Sequence, residues 1–458
     1  MSETTTAPLA QAVAGLMEQG LRELADLVAI PSIADPRQVP PERCVEAATW
    51  VRDAFRDAGV PDTELVETPD GTYAVIGHRP GPQGAPTVLL YAHYDVQPPL
   101  DEAAWTTPPF ELTERDGRLY GRGAADCKGN IIAHLTALRA LREVAKIDGF
   151  PVGIRVVIEG SEEQGTGGLE HYLLAHPDDL PVDVVLVADA GNVALGQPTL
   201  TVSLRGSADV EVEVATLRGA VHSGQYGGAA PDPVAALIAM LASLRGPDGV
   251  LTIDGLDATG TWDGVDYDAD TFREDAGLLD GVEITGSARV SDALWARPAL
   301  TVTGFDVPNV VGAVNAVQPR AAARLNLRVP PGMDSAEVQD LLVAHLESHV
   351  PWGAHLTITR DTPGGPFRAR TDGPAFAVLS QALADAFAAD VTVTSGQGGS
   401  IPLCNVFQQV NPDAEIVLMG AEEPASNIHA PNESVHPAEI ERLAVGEALF
   451  LQRLGAQA

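Results

Sequence analysis

Basic residues are scarce in this 458-residue chain: 28 Lys and Arg stand against 63 Asp and Glu, a formal charge of −35. So negative a surface repels phosphate backbones and anionic lipid headgroups, which argues against nucleic-acid and membrane partners. Cysteine is scarcer still. Cys44, Cys127 and Cys404 are too few for a disulfide framework, and a reducing, cytoplasmic setting is expected. Nothing approaches the roughly 18 uninterrupted apolar residues of a membrane span. Met1 to Leu9 is polar and threonine-rich without a basic segment, so no secretory leader is expected. Aromatics are only 5% of the residues, which leaves small aliphatics and 45 glycines to fill the interior, a composition suited to close helix-on-sheet packing. With 45% hydrophobic and only 20% charged residues, the sequence is too apolar for a disordered acidic chain; its length predicts a folded protein of about two to four domains.

Periodicity supplies the next layer. Cys44, Ala47, Ala48, Val51, Phe55 and Ala58 recur at helical spacing before Gly59. The runs Val88–Ala92, Ile154–Ile158, Val184–Ala188 and Ile416–Met419 are apolar without alternation, as strands buried on both faces read. Between the first two, Ile131, Leu135, Leu138 and Leu141 predict a helix, so strand and helix alternate as in a mostly parallel α/β sheet flanked by helices. From about Leu200 the texture changes. Val210, Val212 and Val214 alternate with glutamates, and Leu325, Leu327 and Val329 alternate with Asn326 and Arg328, as one-sided antiparallel strands do. Helical runs at Val234–Leu244 and Val338–Leu346 accompany them. The expected organisation is a catalytic α/β domain, 1–198 and 368–458, interrupted by an inserted α+β domain, 199–367.

The chemistry collects where the buried strands end. His93 follows the first run, Glu162 and Glu163 the second, Asp189 the third, and His429 lies in a loop after the fourth. In open α/β sheets the ligand crevice lies outside the carboxyl ends of the strands, so these residues are predicted to converge. Asp126, in a glycine-rich turn before the Ile131 helix, adds a further carboxylate. Two histidines with several carboxylates and no thiolate cluster suit Zn or Mn. If one carboxylate bridges, two ions about 3.5–4 Å apart fit the count. In His93-x-Asp95 the aspartate is expected to hold the imidazole's second nitrogen. Of the adjacent Glu162 and Glu163, one can ligate while the other takes a proton from the activated water.

Seven segments together resemble the M20 metallopeptidases, and within them the carnosinase-like dipeptidases: His93-Tyr94-Asp95-Val96-Gln97-Pro98, Gly121 to Gly129, Glu159-Gly160-Ser161-Glu162-Glu163, Asp189, His222-Ser223-Gly224, Gly398 to Pro402, and His429-Ala430-Pro431-Asn432-Glu433. They run in family order from about residue 15 to 450. The resemblance implies that His93, Asp126 and Asp189 hold one ion and Asp126, Glu163 and His429 the other, with Asp126 bridging and Glu162 the general base. It further implies that His222 reaches a neighbouring subunit's active site, that Arg328 with Gly399 and Ser400 binds the substrate's C-terminal carboxylate, and that the inserted domain is the lid and homodimer interface. Cys127 stands where the family commonly has Asp or Asn, next to a peptide bond that is often cis. Ala316 stands where Thr or Asn is usual.

Other features read more plainly. His345 and His349, four apart on a helix, lack a following glutamate and are expected at the surface. Asp266, Asp268 and Asp270 suggest a calcium loop, but Thr271 and Gly277 replace its glycine and closing glutamate, so a solvated acidic loop is expected. Cys127 beside an anion makes a poor nucleophile. There is no Gly-x-Ser-x-Gly elbow and no complete dinucleotide loop. The activity this predicts is a metal-dependent dipeptidase acting on small peptides with a free C-terminal carboxylate, using two divalent ions, zinc foremost. The alternatives are an N-acyl-amino-acid deacylase on the same centre and a non-catalytic metal-binding paralogue; the latter predicts loss of the base or a ligand position, and all are present.

Overall fold

The computed structural model describes residues 3–146, 148–286 and 289–457. It divides into two compact units, Met1–Val202 with Ala369–Ser395 and Leu403–Ala458, and Ser203–Arg368 with Gly396–Pro402.

In the first unit the strands Gly153–Glu159, Thr87–His93, Val184–Ala188 and Glu415–Met419 lie side by side and parallel. Antiparallel strands flank them: Tyr73–Arg79 and Asp62–Glu67 on one side, and a single pairing of Leu418 with Thr201 on the other. The absence of alternation in the sequence is explained by cover on both faces. Val88, Leu90 and Ala92 join a core shared with the helices Glu3–Val28, Lys128–Ala145, Pro374–Ala386 and Pro437–Gly455. Tyr91, pointing the other way, meets Phe407 of the helix Pro402–Val410 edge to face at 5.9 Å. The helix read from Cys44 runs Glu42–Asp57. Among the described residues no helix is long and apolar enough to cross a membrane.

The helix Lys128–Ala145 is anchored at its start and midway along its buried face. Lys128 donates to the carbonyls of Leu27 and Ile30 at 2.9 and 2.8 Å, satisfying groups exposed where the helix Glu3–Val28 stops. One and a half turns on, His134 stands 2.7 Å from Glu447 and 3.2 Å from the carbonyl of Tyr91, fully buried.

The second unit carries the predicted one-sided sheet, in the order Ala299–Asp306, Arg320–Val329, Val210–Ala215, His355–Arg360, all antiparallel. Its inward residues, among them Val210, Val212, Val214, Leu325 and Leu327, pack with Leu237 and Met240 of the helix Pro233–Ala242 and Leu342 and Leu346 of Ser335–His349.

The His134–Glu447 pair yields a prediction. Burial alone would lower the imidazole's pKa, but the Glu447 charge and hydrogen bond outweigh it and hold His134 above the ordinary 6.5. A histidine raised on folding stabilises fully below its unfolded value and loses that contribution as pH rises through its folded value. His134→Gln should therefore cost about 3–5 kcal/mol by leaving Glu447 buried and unpaired. The gap from wild type should be widest at and below pH 6.5 and narrow in alkali. Denaturant unfolding at several pH values checks this; a gap that widens with pH would refute it.

Candidate metal centre

Because the four central strands are adjacent and parallel, their carboxyl ends open on one edge of the sheet, and the residues that follow them meet there. Asp126 is the middle of the cluster. Its Oδ1 lies 2.9 Å from His93 Nε2, which is also 3.1 Å from Asp189 Oδ1. Its Oδ2 lies 2.9 Å from His429 Nε2, which is also 3.1 Å from Glu163 Oε2. Separations near 3 Å are those between neighbouring ligand atoms that each stand roughly 2 Å from a shared ion. Donor type, spacing and burial thus fit a pair of divalent cations, one on either side of Asp126.

Backbone ties fix this arrangement. Glu433, fully buried, pairs with Arg122 at 2.7 Å and accepts from the N–H groups of Gly123, Ala125 and Asp126. The Asp126–Cys127 peptide bond is cis. His93 Nδ1 has the carbonyl oxygen of Asp95 as its nearer partner at 3.1 Å, with the carboxylate at 3.5 Å. The side chain expected to hold this imidazole is engaged elsewhere: the Asp95 carboxylate accepts from the N–H groups of Glu162 and Glu163 at 3.2 and 3.0 Å. It orients the turn that carries both glutamates. Of the two, Glu163 is held by Gln97 at 3.0 Å as well as by His429, while the Glu162 carboxylate makes no hydrogen bond among the described residues.

Electrostatically the cluster is short of positive charge. Burial first, then the nearest carboxylate, pushes Glu162, Glu163 and Glu422 above the ordinary carboxylate range. Asp126 goes the other way, because hydrogen bonds from His429 and His93 outweigh its burial. His429 is pushed up to about 11, by Asp126 first and then Glu163. Cys127 Sγ donates to the carbonyl of Ala188 at 2.9 Å, and burial pushes the thiol up to about 12.

The remaining predicted residues belong to the second unit. His222 is exposed, its Nδ1 accepting from Gly224 N–H at 3.0 Å, and it pairs across a two-residue ladder with Ala316, one of the two departures from the family pattern. Arg328 pairs in register with Ser207, which puts Arg205 diagonally beside it on the same sheet face. Among the described residues neither guanidinium has a carboxylate partner, and Arg205 Nε and Nη1 are buried without any. Gly398 lies against Arg205: a Cβ there would meet Nη2 at 2.8 Å. Gly399 is exposed and Ser400 half-buried in the same loop.

Two expectations are corrected here. His345 is not at the surface; only 2% exposed, it accepts from Asp254 N–H at 3.1 Å and meets Ser243 Oγ at 2.9 Å. Both nitrogens are engaged, so its grouping with His349 and Asp254 is a packed histidine. Asp270 does not lie in a loop; it is in the first turn of a short helix, Ala269–Asp275, which Asp268 caps.

Two further buried glutamates stand at the site without a predicted role. Glu433 lies in a matched segment. Glu422, whose carboxylate lies within 4.8 Å of ligand atoms on Asp126 and Asp189, is an acid just past the end of a buried parallel strand, as Glu162, Glu163 and Asp189 are.

The model of peptidase family M20/M25/M40 matches residues 89–453. The cysteinylglycine-S-conjugate dipeptidase of Corynebacterium striatum is 44% identical over 443 residues, 96% of each chain. The β-Ala-His dipeptidase of Rattus norvegicus is 28% identical, with 82% of this chain and 78% of that protein covered. The crystal structure of human carnosine dipeptidase 1 shares the fold at a TM-score of 0.83, with 24% identity over 98% of this chain and 99% of that one. The chain belongs to peptidase family M20/M25/M40. It is a metallopeptidase, and the use of divalent metal follows from that membership.

The Glu433 anchor is testable. Removing it leaves Arg122 buried without its counter-charge, so Glu433→Ala should cost about 3–5 kcal/mol in denaturant unfolding of the metal-free protein. A loss below about 1 kcal/mol, the range of exposed pairs, would show that other contacts hold the Asp126 loop.

Proposed function

We propose that this chain is a dinuclear-metal dipeptidase that cleaves short peptides bearing a free C-terminal carboxylate. The observation that carries the reading is Asp126, whose two oxygens each face a different histidine, each histidine in turn meeting a different acidic side chain. His93, Asp126 and Asp189 would hold one ion, and Asp126, Glu163 and His429 the other, with zinc as the first choice and manganese the alternative. Bound there, such ions polarise the scissile carbonyl and acidify water.

The chain's own groups do the rest. Glu162, whose carboxylate is not engaged by a neighbour, would take the proton of the attacking water and deliver it to the leaving amine, while Asp95 holds the turn that aims it. Arg328 would pair with the substrate carboxylate, supported by the unpartnered guanidinium of Arg205, with the Gly399–Ser400 loop contributing hydrogen bonds. His222 would act on the active site of a second subunit and steady the developing oxyanion. The second unit would then be both lid and homodimer interface; exposed Val302, Phe305, Val310, Val311 and Val314, two of them on the edge strand Ala299–Asp306, support that use. A cytoplasmic location fits the three cysteines, all free and buried. An N-acyl-amino-acid deacylase is not favoured, because the relatives described above are named as dipeptidases.

The substrate reading is tested by assaying the metal-loaded protein on dipeptides, their C-terminal amides and N-acyl amino acids. Free dipeptides should be cut best, and amides more slowly by roughly 10- to 150-fold, the worth of one charge-assisted bidentate pair of about 1.5–3 kcal/mol. Preference for N-acyl amino acids would overturn it.

Glu162→Gln should lower turnover roughly 100- to 10,000-fold while leaving bound metal unchanged by elemental analysis. Mixed with His222→Ala subunits it should regain part of its activity, since each hybrid dimer holds one site with both residues intact. Loss of metal in Glu162→Gln would reverse the roles of the two glutamates. Hybrids without recovery would remove His222 from the partner's site.

A further inference from the structure

Glu422 stands at the metal centre without an assigned task. It follows the strand Glu415–Met419, and its backbone is fixed to the neighbouring strand's exit: a parallel bridge joins it to Gly191, and its carbonyl accepts from Asn192 N–H at 2.7 Å. The approach is close enough to require glycine at 191, where a Cβ would come within 2.8 Å of both Glu422 Cβ and its carbonyl oxygen. On the preceding residue, Ala421 N–H donates to Asn130 Oδ1 at 2.9 Å. The side chain is thus delivered by three backbone contacts into the space beside Asp126 and Asp189, with ligand atoms of all three within 4.8 Å of one another.

Glu422 is 7% exposed, and among the described residues its carboxylate receives no hydrogen bond and no cation. A buried carboxylate without a partner is costly, and one set against two further carboxylates is more so. A cation shared among them removes that cost.

We propose that Glu422 is a sixth residue of the metal centre, completing with Asp126 and Asp189 a three-carboxylate face that biases the ion on that side toward manganese over zinc. The proposal rests on the dinuclear-metal reading above. Its chemistry is that of hard oxygen donors: added carboxylates favour an ion content with higher coordination and oxygen ligands, whereas zinc is well served by four ligands with more nitrogen. With His93 the face offers one nitrogen and three carboxylates beside the Cys127 sulfur, which is tied to the Ala188 carbonyl, while the opposite side has one histidine, Glu163 and the shared Asp126.

The test uses the full-length protein stripped of metal and titrated with Mn²⁺ and with Zn²⁺ against a competing chromophoric chelator, with stoichiometry from elemental analysis. Wild type should bind two ions, and Glu422→Gln should weaken one Mn²⁺ site by roughly 10- to 100-fold, a loss typical of removing a supporting group at a metal site, while Zn²⁺ binding changes less. Glu422→Asp keeps the charge but withdraws the oxygen by one methylene; it should lose Mn²⁺ affinity too, and it serves alone if the Gln variant does not fold. Wild-type affinities for both metals in either folded variant overturn the proposal and leave the dinuclear reading standing. Equal losses for Mn²⁺ and Zn²⁺ overturn the manganese bias. Failure of the wild type to bind any divalent ion overturns the reading and the proposal together.

Discussion

The structure depends on keeping several carboxylates close, dry and still ionisable. Asp126, Glu163, Asp189, Glu422 and Glu162 gather at one edge of a sheet with two histidines as their basic neighbours among the described residues. Burial and mutual repulsion each disfavour the charged forms. In a protein of net charge −35 no surplus of lysine or arginine is at hand to relieve them. The arrangement is therefore incomplete as a set of side chains, and a divalent cation is what its chemistry calls for.

The fold answers this by placing the cost at strand ends and bracing it from behind. Four parallel strands deliver their exits side by side, so His93 and Asp189, 96 positions apart, become neighbours, and Asp126 and His429 reach them from turns. The braces are mostly backbone N–H groups. Asp95 receives two from the Glu162–Glu163 turn, Glu433 three from the Asp126 turn, and the carbonyl of Glu422 one from Asn192. A carboxylate satisfied by backbone donors is rigid, because those donors cannot rotate away, and rigidity is what a metal centre needs of the shell around it.

How much of this could be read in the sequence follows from which forces are local. The helix Glu42–Asp57, the four buried strands and the alternation of Val210–Ala215 were legible, since each is written in the period of its own residues. The long helix Glu3–Val28 is not among the expected elements, its opening being polar and threonine-rich; it is helical because Leu9, Val13, Leu24 and Leu27 bury against other helices. His345 was misplaced for a related reason. Its helix shows a polar run, yet Ser243 and Asp254, a hundred residues away, turn that position inward. At the site, the side chains that face one another were found by the strand-end rule and by family resemblance. The partners that hold them were not, since Asp95 to the Glu162 N–H and Glu433 to Arg122 are pairings in space with no sequence signature.

Uncompensated charge is the common thread between the two units. In the first it is negative, and its remedy is a cation. In the second it is positive: Arg205 and Arg328 sit diagonally on one sheet face, and burial first, then Arg328, pulls the Arg205 pKa down to about 10, while 63 acidic residues elsewhere leave both without a carboxylate. With acids so abundant, a neutralising partner would have been easy to supply. Two guanidiniums without a carboxylate among the described residues are what the proposed pairing with a peptide's carboxylate would use. The same reasoning separates these residues from His134 and Glu447, or Arg122 and Glu433, which are more deeply buried but matched within the chain. Matched buried charges report on stability, whereas unmatched ones report on what the protein binds.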